Sequence, residues 1–329
     1  MRRSLAVTLL AAAAFAVTAD SLAWVWATNR IETGVAAWLA DRRVEGWAAT
    51  AGPAQRGGWP FRAEVAYPDM VFSGGLSWQA DRVRLRFDPL RREVLTVALE
   101  GIQRIRLGTL PAATLVATRL TALAPLDDSA GPVIVHATGL RAEAGGQSVS
   151  AARATLRIRP GVAEAEAEGV DLPAGPQWPF GRDIASVAAT ARLEGSLPAM
   201  VDDLPHQAAA WRDAGGKLVI TQSALHWGAL DAQGSGDVTL DPALQPRASF
   251  VVQLAGYPET IAALVQSRAI RPNDARVATT LLGLLAQTSP GGKPEVTVPL
   301  NLRGGVLSAG GIPIARVPGL AWGPATPGD

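Results

Sequence analysis

The chain has 329 residues, a formal net charge of +1, 48% apolar and 18% charged residues, and no cysteine. Its length allows one large body or two related halves, and a charge so close to zero excludes the global basic field that draws proteins to nucleic acid or anionic lipid. The missing cysteine removes disulfides, thiolate metal sites and cysteine nucleophiles together, which fits an oxidising compartment.

Met1-Arg2-Arg3 forms a positive n-region, and Leu5 to Ala19 is an uncharged run rich in Ala, Val and Leu, including Leu9, Leu10 and Phe15. This is the pattern of an export signal. As a helix the run spans about 22 Å, short of a hydrocarbon core of roughly 30 Å, and Val17-Thr18-Ala19 offers a cleavage site. Leu22 to Ala27 resumes the apolar character, however, so Leu5 to Thr28 would span about 36 Å. Trp24 and Trp26 then fall where interfacial aromatics belong, while Arg2 and Arg3 orient the starting end inward. The expectation is a signal anchor over 1–28 with a single pass of the inner membrane and the body in the periplasm; the alternative is a soluble periplasmic protein after signal cleavage. Ile31, Val35, Trp38 and Leu39 keep the helical spacing, so a helical stalk is expected over 29–50, with the helix itself reaching about Gly46.

From Arg56 the texture becomes short alternating stretches separated by Gly, Pro and Asp, the pattern of antiparallel strands. Val83, Leu85 and Phe87 alternate with Arg82, Arg84 and Arg86, which predicts one buried and one solvated face. Further strands are expected over 93–99, 103–107, 113–120, 133–137, 148–158 and 162–168. Arg153, Arg157 and Arg159 should meet Glu164, Glu166 and Glu168 across a hairpin at Pro160-Gly161, fixing its register. Inward positions are dominated by small residues, compatible with a thin core or with a long apolar groove.

Helices are expected over Pro198 to Ala214, Pro258 to Ile270 and Asn273 to Gln287, the last two forming a hairpin broken at Arg271-Pro272. Val277, Leu281, Leu284 and Leu285 are the expected buried stripe of the last. Strands return over 295–302, 306–308 and 312–315 with glycine turns at 304–305 and 310–311. In the Pro/Gly-rich tail, Leu320 and Trp322 alone look able to tether the chain.

Trp59-Pro60-Phe61 recurs as Trp178-Pro179-Phe180, and Trp78 followed by Asp88-Pro89 recurs as Trp227 followed by Asp241-Pro242. The preserved order suggests a duplication, against chance in a biased composition. The division that follows is a first β-rich half over 51–174, a second over 175–318 with a helical insertion at 198–214 and a helical hairpin at 258–287, and a flexible tail over 319–329.

The anchor, the Gly-Trp-Pro-Phe start, Leu240-Asp241-Pro242, the helical pair and the ending Val298-Pro299-Leu300-Asn301-Leu302-Arg303-Gly304-Gly305, with Ile312-Pro313-Ile314-Ala315-Arg316-Val317-Pro318, resemble the domain-of-unknown-function family 2125. The resemblance implies an envelope location and brings no catalytic residues. In plan, an anchor helix followed by long sheets is also similar to AsmA-like envelope proteins, whose sheets line an apolar groove for lipid; this is analogy only.

His136, His206 and His226 are isolated, and no nucleophile elbow, phosphate-cradling loop or dinucleotide fingerprint is present. Asp127-Asp128 and Asp202-Asp203 sit in or near turns or helix starts, where solvation and capping explain them. No catalytic, cofactor or metal residues are therefore assigned and no enzyme activity is expected. The fold class expected is mainly β with helices (α+β): an N-terminal transmembrane or signal-anchor helix, then large curved antiparallel sheets with covering helices. The expected role is a membrane-anchored periplasmic binder of lipid or another apolar ligand in envelope maintenance. An envelope scaffold that binds another protein is the alternative, and an enzyme of unknown class the third reading.

Overall fold

A computed structural model describes residues 2–74, 76–88, 93–107, 111–126, 131–175, 178–195, 204–288, 294–320 and 322. The chain is mostly β. Among the described residues four helices, α1 (Arg2–Val44), α2 (Leu204–Asp213), α3 (Tyr257–Gln266) and α4 (Pro272–Leu285), accompany eighteen strands in one antiparallel sheet. Short β1 (Ala48–Thr50) and β2 (Gln55–Gly57) both pair with β3 (Ala63–Ser73). From there the sheet follows the chain through β4 (Leu76–Phe87), β5 (Val94–Leu107), β6 (Ala113–Val116), β7 (Arg119–Pro125), β8 (Val133–Ala144), β9 (Gln147–Arg159) and β10 (Val162–Asp171). It continues through β11 (Asp183–Glu194), β12 (Lys217–Trp227), β13 (Leu230–Leu240) and β14 (Pro246–Ala255). After the helical pair, β15 (Gln287–Thr288) and β14 both pair with β16 (Pro294–Arg303), and β17 (Val306–Ala309) and β18 (Ile312–Arg316) close the order.

The N-terminal helix is present, continuous through the expected stalk. It stops where the sequence provides a glycine: Gly46 adopts φ 91°, its N–H donates to Arg43 O, and the Trp47 N–H donates to Arg42 O, the paired bonds of a Schellman end. Trp47 to Thr50 therefore turn into β1 rather than extend the stalk. Among the described residues no helix is long and apolar enough to cross a membrane. The side chains of Arg2, Arg3, Leu5, Leu9 and Leu10 lie outside the described ones.

Two strands expected over 93–99 and 103–107 are one, β5, carrying a bulge at Gly101. The strand expected over 113–120 is two, β6 and β7, both of which pair with β5 and β8. The Pro160-Gly161 hairpin has the expected register, with Arg157 opposite Glu164 and Arg153 opposite Glu168. Arg153 and Glu168 form an ion pair, and Arg159 reaches Glu164 at 3.2 Å.

The expected stripe of α4 is overturned. Val277, Leu281 and Leu284 are exposed, while Ala275 is buried against Tyr257, Ile261 and Val296, with Ala278 and Leu282 packed beside it. Ala275, Ala278 and Leu282 form the side that meets α3 and β16, and Val277, Leu281 and Leu284 are left outside. The side chain of Leu285 lies outside the described ones, and the part of the α2 expectation before Leu204 lies outside the described residues.

Candidate apolar binding face

Directly opposed residues in a sheet share a face, so the register defines the composition of each side. One row runs Val65, Leu85, Val97, Ala122, Val135, Leu156, Ala165, Ala189, Ser223, Gly234, Val252, Val298 across twelve strands. At about 4.8 Å per strand this row is roughly 53 Å long. The neighbouring row on the same side reads Val133, Ile158, Ala163, Ala191, Ile220, Gly236, Phe250, Leu300 and Ala309. Neither row contains a charge. The row between them on the opposite side contains Glu64, Arg86, Arg157, Glu164 and Gln222.

Helices cover the two ends of the apolar side. At one end, Ile31, Val35 and Leu39 of α1 pack with Val65, Tyr67, Val83 and Leu85. At the other, α3 and α4 pack on Leu254, Val296 and Val298. Neither cluster reaches β7–β13. There the apolar side chains are mostly partly exposed, with Ile158 and Val187 open to solvent.

A line of backbone irregularities crosses this sheet. Asp69 (φ 49°), Gly101 (φ 75°), Gly139 (φ 59°) and Gly169 (φ 58°) lie on β3, β5, β8 and β10, and at that level the two-residue alternation of inward side chains slips by one. Buried positions step from Tyr67 to Met70 and from Val83 to Ala80. Asp81 fastens the β5 bulge by accepting from the Ile102 N–H at 2.8 Å. Ala137, Ala151 and Val170, the buried apolar residues of β7–β13 among those described, all sit beside this crease. Across it the apolar side continues as Met70, Ala80, Gln103, Leu115, Ala142 and Val149. Gln103, 2% exposed, is the polar member of that row, and its Oε1 has no hydrogen-bond partner.

The second half of α1 is fixed to the sheet by polar contacts as well as by packing. Trp24 Nε1 donates to Gly57 O at 3.0 Å, and Arg56 bridges Glu32 (2.6 Å) and Asn29 (2.7 Å). The Arg56 guanidinium holds the Glu32 carboxyl below its ordinary range, its hydrogen bond outweighing the opposing effect of burial. Burial, reinforced by the Glu32 charge, pushes the Tyr67 phenol up to about 12. Beyond Trp24 towards the N-terminus the helix leaves the sheet: Phe15, Val17 and Leu22 are exposed, as is Trp26 on its outer side.

The recurring landmarks take unlike places. Trp59 and Phe61 do not anchor in a core: both are exposed, with Trp59 Nε1 donating to Ser21 Oγ on α1. Trp178 donates to Pro173 O, and with Phe180 it packs edge-on to Trp227. Trp227 lies opposite Ile184, at the start of β11, whereas Trp78 lies opposite Phe72, at the far end of β3, stacked on its ring. Asp88 follows the second strand after its Trp-Pro turn and Asp241 the third. Asp241 shapes its turn by accepting from the Ala243 and Gln245 N–H groups, both at 2.9 Å; Pro242 also lies in this turn, and its carbonyl accepts from Arg212 of α2 at 3.0 Å. Pro89 lies outside the described residues. The tail is tethered where expected, Trp322 Nε1 donating to Leu244 O and the Leu320 N–H to Gln245 Oε1.

His136 stands on the polar side 3.3 Å from Thr155 Oγ1, and His226 lies 3.3 Å from Asp231. Among the described residues no group of three His, Cys, Asp or Glu could hold a metal ion. Asp127-Asp128 and Asp202-Asp203 lie outside those residues. Sequence reading missed β11–β14, which supply four residues to each of the two apolar rows; the alternation of Ala248, Phe250, Val252 and Leu254 with Ser249, Val251 and Gln253 was the available signal.

A family model described as an uncharacterised protein conserved in bacteria, DUF2125, matches residues 24–318. No curated protein and no solved structure matches the chain.

Proposed function

We propose that this chain, which belongs to the DUF2125 family, is a membrane-anchored periplasmic protein that holds lipid acyl chains or another apolar ligand against one side of its sheet and supports envelope maintenance. The observation that carries this reading is the uncharged apolar side, covered by helices at both ends and by none of the buried clusters between β7 and β13. A water-exposed apolar surface of that extent is unfavourable unless something apolar covers it. The chemistry offered is burial without ionic recognition: headgroups would remain at the margin, and the ligand would be read by its hydrocarbon.

Membrane anchoring draws support from the apolar side chains of Phe15, Val17 and Leu22, exposed on the part of α1 that leaves the sheet, together with the Arg2-Arg3 start. The competing reading, a scaffold that accepts a partner's strand, has less support. At one end of the sheet the edge strand β18 is five residues long, contains Pro313 and carries a register irregularity, and at the other β1 and β2 are three residues each, devices that blunt strand addition.

The experiment is photo-crosslinking of the full chain with a phospholipid bearing a photoactivatable acyl chain, followed by mapping of adducts. Adducts at Leu156, Ile158, Val187 or Leu225 are expected. Adducts confined to α1, or none, would overturn the proposal.

A further inference from the structure

We infer that α4 is a second lipid-contacting element, a helix that lays its outer side into the surface of a bilayer containing anionic lipid. The inference goes beyond the holding of a ligand on the sheet and stands or falls separately. Its starting point is the inverted packing of the helix. Val277, Leu281 and Leu284, spaced i, i+4, i+7 on one side, are 60%, 49% and 80% exposed, whereas Ala275 is 6% exposed. A helix facing only water gains more by burying leucine than alanine, since the gain grows with the apolar area removed from water. The arrangement becomes favourable when the outer side meets hydrocarbon.

Charge identifies the occupant. Arg268, Arg271 and Arg276 are all exposed around the α3–α4 turn and the first turns of α4, with Asp274 as the acidic residue of that helix. Arg268 adopts a left-handed backbone, φ 61°, at the end of α3. An apolar stripe with arginines beside it matches an interfacial helix that meets anionic headgroups with its basic residues and the acyl boundary with its leucines. The hairpin lies at the opposite end of the sheet from α1, over β14 and β16 rather than β3–β5, so its contact is independent of the N-terminal helix.

The absence of cysteine gives a direct test in the full chain. An environment-sensitive fluorophore is attached to Leu284→Cys, in parallel to Val277→Cys in case one label disturbs the helix, and to Gln253→Cys on the polar side of β14 as a control. The probes are vesicles of phosphatidylcholine alone and of phosphatidylcholine mixed with phosphatidylglycerol. A blue shift is expected at 284 and 277 with the anionic vesicles, weaker with phosphatidylcholine alone, and none at 253. Arg271→Gln and Arg276→Gln should each lower the ratio of inserted to free label about fivefold, from about 1 kcal/mol per basic side chain at an anionic surface. Silence at both α4 positions, or equal shifts with both vesicle types, would overturn the inference. So would a shift that tracks protein concentration without vesicles, which would identify a second copy as the occupant. Sheet-side crosslinks with silent α4 labels would remove this inference alone; the converse would remove the ligand-holding proposal alone.

Discussion

Replacing one valine by aspartate at two places on the same side of the sheet distinguishes an open apolar surface from a filled interior. Val187 is 37% exposed and Val65 0% exposed. Burying a whole aliphatic side chain contributes about 1.5–3 kcal/mol; with some two-thirds of Val187 shielded, Val187→Asp forfeits about 1–2 kcal/mol and lets its carboxylate reach water. At Val65 the carboxylate would sit beneath α1, where Arg56 on the opposed β2 is already paired with Glu32, costing several kcal/mol, comparable with a total folding stability of about 5–15 kcal/mol. Urea unfolding followed by tryptophan fluorescence should therefore show a modest fall in midpoint for Val187→Asp and no cooperative native state for Val65→Asp. The same Val187→Asp protein should lose at least about tenfold in acyl-lipid uptake, because covering the new charge with hydrocarbon costs more than the 1.4 kcal/mol that a factor of ten represents. If Val187→Asp unfolds the chain as completely as Val65→Asp, the middle of the sheet is a packed core and the reasoning fails.

Gly139→Ala should destabilise the crease by at least about 1–2 kcal/mol, the cost of a left-handed backbone for an L side chain, because the new Cβ would also lie 2.5 Å from Thr118 Oγ1; the urea midpoint checks this. Glu32→Gln should lower the thermal midpoint at neutral pH. Since the folded pKa of Glu32 is depressed, its contribution is present above the unfolded value of about 4.3 and is lost as pH falls through the folded value, so wild type and variant should converge on acidification. Tyr67 should ionise near pH 12 in the folded chain, and because that value is raised, the stability it confers is intact below about 10 and lost as pH climbs to 12; Tyr67→Phe should blunt that alkaline loss in a titration followed by ultraviolet absorbance.

Local patterns were legible in the sequence wherever a single periodicity or turn decided the outcome. The Arg-Glu hairpin at Pro160-Gly161, the glycine turns before β17 and β18, and the Gly46 end of α1 follow from nearest-neighbour chemistry. Bulges were not legible: Gly101 looked like a break between strands because a glycine with positive φ also ends strands. The stripe of α4 was misread because two sides of the helix are apolar, and which of them meets α3 and β16 is a tertiary fact. The Trp and Asp-Pro landmarks repeat in order along the chain, yet only pairing reveals that Trp78 and Trp227 occupy opposite ends of their hairpins. The apolar side itself was half legible, as alternation in individual strands; its continuity needed the register of every pair.

Among the described residues no strand of this sheet pairs with one more than two places away along the chain. Growth or loss of a single hairpin would thus lengthen or shorten the uncharged lane by about 10 Å while leaving every other pairing intact, so reach could be tuned among homologues one hairpin at a time, like links added to a chain, with both end caps carried along unchanged.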